Sequence, residues 1–364
     1  METREKIVII GGGFAGLQLA KALNKKRKKV IVIDKVNHHM FQPLFYQVAC
    51  GRIEPSNISF PFRKIFQRSR NIQFRMVEVQ KILPEQNKII TEDAEFTYDK
   101  LVIATGCKTN FFGNSKMQGL TYGMKNTQEA IAIRNNILLT FEKLIIEKRR
   151  SDDGNWNIVI VGSGPTGVEL AGAFAEMKKD ILPRDYPNMN FNDLQIILIS
   201  STEKPLNVMS KEAQEKSERY LKELGVHFMS GEFVTDYDGD QVTMKSGKTI
   251  KSNNVIWAAG VTGNVIEGLN PEIIVRNRYK TDRFNRVQGY KNIFAIGDIA
   301  YMETPKYPEA HPQVANVAIN QGTNLASNLL KNSENTWEEY EYKDQGSMAT
   351  IGKHRAVVDL PKFK

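Results

Sequence analysis

The chain has 364 residues, 41% hydrophobic and 25% charged, the composition of a soluble globular protein and not of a disordered one. At this length two to three domains are expected in place of one core. The 50 Lys and Arg outnumber the 41 Asp and Glu, giving a net charge of +9. No zinc-ligand spacing, RNA-binding signature or aromatic-interleaved basic motif accompanies that charge, so no nucleic-acid partner is expected.

The positive charge is clumped in Lys25-Lys26-Arg27-Lys28-Lys29, in Arg63, Lys64, Arg68 and Arg70, and in Lys148-Arg149-Arg150. Singly, each run reads as a solvated loop or helix end; together they suit an anionic membrane surface. The only cysteines, Cys50 and Cys107, have no metal or redox spacing, which points to a reducing compartment without a disulfide framework. The N-terminus runs straight into a strand pattern, so no signal peptide is expected. No 18-residue apolar run is present to span a bilayer.

Ile7 to Ile10 form an apolar run suited to a buried parallel strand. Gly11-Gly12-Gly13-Phe14-Ala15-Gly16 follows, a G-x-G-x-x-G, then a helical pattern (Leu17, Ala20, Leu23) and a second run, Val30 to Ile33, ending at Asp34. Here Gly11 permits a tight turn, Gly13 lets the backbone approach a pyrophosphate, and Gly16 lets helix pack on strand. The helix N-terminus offers free N–H groups to phosphates. Asp34, 18 residues after Gly16, can accept hydrogen bonds from a ribose 2′-OH. Strand, turn, helix and acid in this order predict dinucleotide binding.

Lys35 to Met40 read as a loop, in which His38 and His39 lack a third metal ligand, so no metal site is expected. Phe41 to Ala49 is an aromatic stretch that reads equally as core or as the wall of a flat cofactor. Residues 71 to 98 alternate polar and apolar and predict a small antiparallel meander leading into the buried strand Leu101 to Ile103 and the exit Ala104-Thr105-Gly106. A helix is expected over 126 to 150.

The opening motif then returns. Ile158 to Val161 lead into Gly162-Ser163-Gly164-Pro165-Thr166-Gly167 and a helical run carrying Glu169. The second strand, Ile196 to Ile199, ends at Ser200 where an acid is expected, with Glu203 and Lys204 nearby. An alternating region spans 226 to 250, and Val255 to Gly260 echo Ile103 to Gly106. Two such units imply two nucleotides, or a flavin dinucleotide and a nicotinamide. Asn292 to Asp298 form a strand that ends in a carboxylate, where ligands bind in open α/β sheets. A helix from near Gln313 to Leu330 would aim its N-terminus at the same ligand.

Together these residues resemble the two-dinucleotide-binding flavoproteins. Phe41 to Ala49 (FQPLFYQVA), Thr109 to Gly113 (TNFFG), His311 to Gly322 (HPQVANVAINQG) and Gly346 to Gly352 (GSMATIG) narrow the likeness to the type II NADH:quinone oxidoreductases. The resemblance implies an α/β fold with two Rossmann-like domains, the FAD domain discontinuous, and small antiparallel meanders. The expected division is 1–112 and 283–333 for non-covalent FAD, 113–282 for NADH, and 334–364 as the start of a C-terminal region.

The candidate cofactor positions on the FAD side are Gly11, Gly13, Phe14, Ala15, Gly16, Asp34, Lys35, Gln42, Val79, Ala104, Thr105, Gly106, Gly297, Asp298, Gln313, Val314 and Ala315. Gly162, Gly164, Pro165, Thr166, Gly167, Ser200 and Gly260 are those of the NADH side. Gln47, Asn316 and Asn320 are expected to meet the quinone, ubiquinone or menaquinone. Glu169 is the candidate catalytic residue; a first-turn carboxylate favoured by the helix dipole is its structural alternative. The family's A-Q-x-A-x-Q pattern reads Ala315-Asn316-Val317-Ala318-Ile319-Asn320 here, each amide one methylene shorter.

The resemblance further implies a non-pumping respiratory enzyme, peripheral on the cytoplasmic face of the cell membrane, and a homodimer. Such proteins continue into amphipathic membrane-anchoring helices, so the end at Lys364 suggests a shortened, soluble form. A sulfide:quinone oxidoreductase would need a cysteine pair by the flavin, and a disulfide reductase a C-x-x-x-x-C. A flavin-binding signalling protein with incidental NADH oxidation is the third alternative.

Overall fold

The computed structural model describes residues 4–147 and 154–361. The basic run Lys148-Arg149-Arg150 lies outside the described residues. Two compact units divide the chain: Met1–Met40, Ser59–Lys108 and Thr262–Lys343 in the first, Phe41–Ile58, Thr109–Val261 and Asp344–Lys364 in the second.

The first unit is built on a five-stranded parallel sheet in the order Ile293–Ala295, Lys100–Ile103, Lys6–Ile10, Lys29–Asp34, Ile72–Met76. Both faces of its central strand are covered, which is why Ile7 to Ile10 are apolar without alternation. Ile7 and Ile9 pack with Leu17 and Leu19 of the helix Phe14–Ala22 and with Leu325 and Leu329 of the helix Ala315–Leu329. Val8 and Ile10 join Ile82, Ile89, Tyr279 and Ile299 on the other face. Each such side chain contributes roughly 1.5–3 kcal/mol by leaving water.

The antiparallel meander is shorter than the sequence suggests. It holds Val79–Leu83, Lys88–Thr91 and Glu95–Thr97, whereas Ile72–Met76 pairs in parallel with Lys29–Asp34. Alternation arises there because an edge strand buries only one face, Ile72 and Phe74 inward, with Gln73 and Arg75 exposed. The crossings between units also differ from the expected 112/113 and 282/283. Residues 262 to 281 belong to the first unit because Arg278–Thr281 pairs with Ala300–Met302 and because Ile266 and the buried Tyr279 pack with Val8 and Ile10 in that unit's core.

In the second unit a four-stranded parallel sheet runs Val226–Met229, Ile196–Ile199, Ile158–Val161, Asn254–Trp257. The alternating 226-to-250 region therefore splits, its first strand entering this sheet and the rest forming the antiparallel Val234–Tyr237, Gln241–Met244 and Thr249–Lys251. The helix expected over 126 to 150 is described as Thr127–Glu147. A hairpin of Ser347–Thr350 and Ala356–Asp359 packs on the helix Pro165–Glu176. The approach is tight: a Cβ on Gly172 would stand 2.6 Å from the Gly352 nitrogen. Glu176 fixes it by accepting the Lys353 N–H at 2.6 Å and pairing with the Arg52 guanidinium.

Gly172→Ala must push the hairpin off the helix. It is expected to cost about 1–3 kcal/mol and lower the melting temperature by several degrees. Calorimetry checks this, and an unchanged melt would show that the hairpin yields freely.

Candidate dinucleotide-binding sites

In the first unit the backbone turns at Gly11, φ +103°, where a Cβ would strike the Ala104 carbonyl oxygen at 2.3 Å. A Cβ on Gly16 would lie 1.9 Å from the Gly11 oxygen. Gly13, by contrast, would meet nothing within 4 Å. That open face sits at the N-cap of the helix Phe14–Ala22, where no side chain caps the first-turn N–H groups. The turn is thus closed on its inner side and bare where a phosphate can approach.

Asp34 ties this turn to the strand end, accepting the Gly12 N–H at 2.7 Å and the Val36 N–H at 3.0 Å. Burial pushes its carboxyl above the usual range, against those two hydrogen bonds. The turn opens on a cavity of about 460 Å³ lined by Gly11, Asp34, Lys35, Val79, Thr105 and Asn264 among others. Five of these are positions the sequence singled out. Asn264 was missed; it donates to the Thr105 carbonyl at 3.0 Å and its own carbonyl accepts the Thr105 hydroxyl at 2.7 Å. Volume, bare N–H groups and a ribose-facing acid fit the nucleotide half of FAD.

His39 was also misjudged. It is buried in the strand His38–Met40, not solvated, and donates from Nδ1 to the Gly12 carbonyl at 2.9 Å, with Phe14 edge-on at 5.4 Å. Burial lowers its pKa, while the bond to the Gly12 carbonyl acts in the opposite direction. Among the described residues no group of three His, Cys, Asp or Glu could hold a metal ion.

Gly297 and Asp298 follow the strand Ile293–Ala295. The Gly297 N–H donates to Gln321 Oε1 at 2.7 Å, and Gln313 Nε2 donates to the Asp298 carbonyl at 2.9 Å. The Cys107 thiol donates to Asp298 Oδ2 at 3.0 Å. Val314 is the N-cap of Ala315–Leu329 and offers no side-chain cap, so this helix too begins with unpaired N–H groups. Asn316 and Asn320 stand one turn apart on it. Ala104 and Gly106, the latter at φ +64°, belong to the same unit. Gln42 and Gln47 belong to the second unit.

The second turn repeats the first. Gly162 has φ +108° and its Cβ would meet the Ala258 oxygen at 2.6 Å; a Cβ on Gly167 would lie 1.8 Å from the Gly162 oxygen; Gly164 would meet nothing within 4 Å. Pro165 starts the helix, with Thr166 beside it and no side-chain cap. Ser200 is buried and hydrogen-bonded to Ser163, and Gly260 lies just after the strand Asn254–Trp257, with φ +156°.

Glu169 lies beyond the first helical turn, which carries no acid, so the dipole explanation loses force. Burial pushes its carboxyl up to about 7, with the Thr350 backbone N–H acting in the opposite direction. The Thr350 hydroxyl donates to the Tyr46 hydroxyl at 3.0 Å, as does Gln47 Nε2 at 3.0 Å. This places the FYQ and SMAT stretches together, a juxtaposition no local pattern reveals.

Residues 5–322 match the pyridine nucleotide-disulphide oxidoreductase family. The type II NADH:quinone oxidoreductase Ndh of Mycobacterium tuberculosis is 32% identical, covering 98% of this chain and 80% of its own length. The type II NADH:quinone oxidoreductase of Staphylococcus aureus is 27% identical, over 98% and 90%. The structure of NDH2 from Plasmodium falciparum in complex with NADH superposes with a TM-score of 0.92 at 21% identity, covering 99% of this chain and 90% of that one, a likeness of fold.

Because the Glu169 carboxyl is raised from 4.5 to about 7, the folded chain holds this proton more tightly than the unfolded chain. Its contribution is full below pH 4.5, falls as pH rises towards about 7, and is constant beyond. Glu169→Gln should abolish that slope and stabilise the fold above pH 7 by on the order of 3 kcal/mol. Denaturant melts across this range check it; parallel profiles for both proteins would refute the shift.

Proposed function

The chain belongs to the pyridine nucleotide-disulphide oxidoreductases and, within them, to the type II NADH:quinone oxidoreductases, and on that premise we propose that it oxidises NADH through bound FAD and reduces a quinone by two electrons, without pumping protons. The observation that carries this reading is the pair of glycine turns, each open at one helix N-terminus, with only the first followed by a ribose-binding acid. FAD, when bound, supplies the ring that accepts a hydride and passes the electron pair on.

The side chains bind, orient and hold protons. Gly13, Phe14, Ala15 and Asp34 would take the FAD pyrophosphate and ribose, and Asp298 the ribityl hydroxyls. The first-turn N–H groups of the helix Ala315–Leu329, which no side chain caps, favour negative charge beside them. Gly164, Pro165 and Thr166 would take the NADH pyrophosphate. Asn316 and Asn320, one turn apart on their helix, would offer amides to a quinone oxygen, and Gln47 is the candidate of the second unit. Glu169, half-ionised near neutral pH, can hold a proton and release it. Asp298→Ala should weaken FAD binding about tenfold or more, through loss of hydrogen bonds to a charged acceptor, measured as flavin released on gel filtration. Full retention of FAD would remove Asp298 from the site.

Under anaerobic conditions NADH should bleach the flavin, a short-chain soluble quinone should restore its colour, and sulfide should do neither. Bleaching by sulfide alone, or a chain that takes up no FAD, overturns the reading.

No described helix is long and apolar enough to cross a membrane. For the membrane face we look to the two described basic runs. Asn71 accepts the Lys25 N–H at 2.9 Å and donates to the Leu23 and Lys28 carbonyls, bringing the Lys25-to-Lys29 loop beside Arg70. Arg4, Lys6, Lys28, Lys29 and Arg70 line one concavity of about 570 Å³ at the foot of the first sheet. Attraction of about 1 kcal/mol per basic residue to an anionic leaflet is screened by salt. Co-sedimentation with phosphatidylglycerol vesicles should therefore occur at low salt and vanish at high salt; no binding at low salt would reject this surface.

A further inference from the structure

The two glycine turns are close copies, and the comparison isolates what the second lacks. In the first unit the Asp34 carboxylate accepts the N–H of Gly12, in the turn, and of Val36, two residues on. In the second unit Ser163, Ser200 and Thr202 occupy the corresponding positions. Ser200 Oγ lies 2.6 Å from Ser163 Oγ and 2.9 Å from Thr202 Oγ1, and accepts the Thr202 N–H at 3.1 Å.

The direction of these bonds follows from the chain's end. The Thr202 hydroxyl donates to the Lys204 carbonyl at 2.8 Å. Its proton is thus committed, so Ser200 donates to Thr202 and Ser163 donates to Ser200. Ser200 then makes its full complement of one donated and two accepted bonds. Buried at 3% exposure, it performs the bracing half of the acid's task without the charge.

The other carboxylates of this corner do not replace that charge. Glu232, whose N–H bonds the Ser200 carbonyl, has its carboxylate held by Ser246 and Lys248. Glu203 is exposed, its Oε1 3.5 Å from where a Gly231 Cβ would stand. The loop also carries the exposed Ser201 hydroxyl and the ammonium of Lys204, which pairs with Glu218.

A carboxylate at a strand end selects NADH by binding the ribose 2′-OH and repelling a 2′-phosphate. We infer that the Ser163–Ser200–Thr202 hydroxyl chain leaves the second turn open to the 2′-phosphate, so that NADPH is a hydride donor alongside NADH. This rests on the proposed function and names the nucleotide class of its second site. The balance is NADPH, one proton and a quinone giving NADP⁺ and a quinol.

The test measures anaerobic flavin bleaching by NADH and NADPH, together with binding of 5′-AMP and 2′,5′-ADP, which needs no flavin turnover. The wild-type kcat/KM ratio of NADH to NADPH should lie within about thirtyfold, and 2′,5′-ADP should bind within the same margin of 5′-AMP. Ser200→Glu should raise both preferences for the unphosphorylated nucleotide by about tenfold or more. Should Ser200→Glu fail to fold, Ser201→Glu carries the same charge on the exposed neighbour. Wild-type discrimination beyond thirtyfold, or ratios unmoved by the introduced carboxylate, overturns the inference. Bleaching by NADH with none by NADPH sinks this inference alone. If neither nucleotide bleaches the flavin, the proposed function falls, and the fragment affinities still decide the 2′-phosphate question.

Discussion

Both nucleotide-binding turns depend on a backbone approach that only glycine permits. Gly16 and Gly167 each press a helix onto the carbonyl of the preceding glycine turn, at 1.9 and 1.8 Å from an imagined Cβ. No rotamer could relieve such an overlap, since the obstacle is backbone and the added atom is fixed to it. The approach brings the helix start to the end of the central strand, with no side chain capping its first turn. Phosphate affinity therefore follows from packing: the same contact that closes the core aims the dipole.

The strand ends beside these turns carry the chemical distinction. Asp34 and Ser200 brace the same two places, the turn and the residue two places on, but Asp34 takes the Gly12 backbone N–H and Ser200 the Ser163 hydroxyl. At Asp34 the two N–H groups favour the carboxylate's charge, against the burial that opposes it. The buried serine keeps the geometry and discards the field. The two turns accordingly differ in charge, while their glycine geometry is common.

What was legible in the sequence was what is periodic or strictly local. The runs Ile7 to Ile10 and Ile158 to Val161, the glycine spacings and Asp34 announce both parallel sheets, because a doubly covered strand needs unbroken apolar residues. Edge position was not legible, so Ile72–Met76 passed for part of the meander. Nor were the crossings between units, since residues 262 to 281 join the first unit through Tyr279, which pairs with Ala300 and packs against Val8 and Ile10, contacts marked by no motif. Non-local polar partners escaped for the same reason. Gln321 under Gly297, Cys107 on Asp298 and His39 on Gly12 are single side chains separated from their partners by long stretches of chain.

Glu169 shows how such distant partners set chemistry. Its sequence position on a helix left a catalytic group and a dipole-favoured carboxylate as alternatives, and in the structure burial drives the carboxyl towards neutrality. The cover includes the hairpin from Ser347 to Asp359, seated on Gly172 and clamped by Glu176, whose Thr350 supplies the opposing N–H. A bare helix would leave this carboxyl ionised at neutral pH. A tighter apolar cover, without the Thr350 N–H, would raise it further. The hairpin thus holds Glu169 between these limits, where gaining and losing a proton cost nearly the same, and the glycine at 172 is what lets the hairpin come close enough to do so.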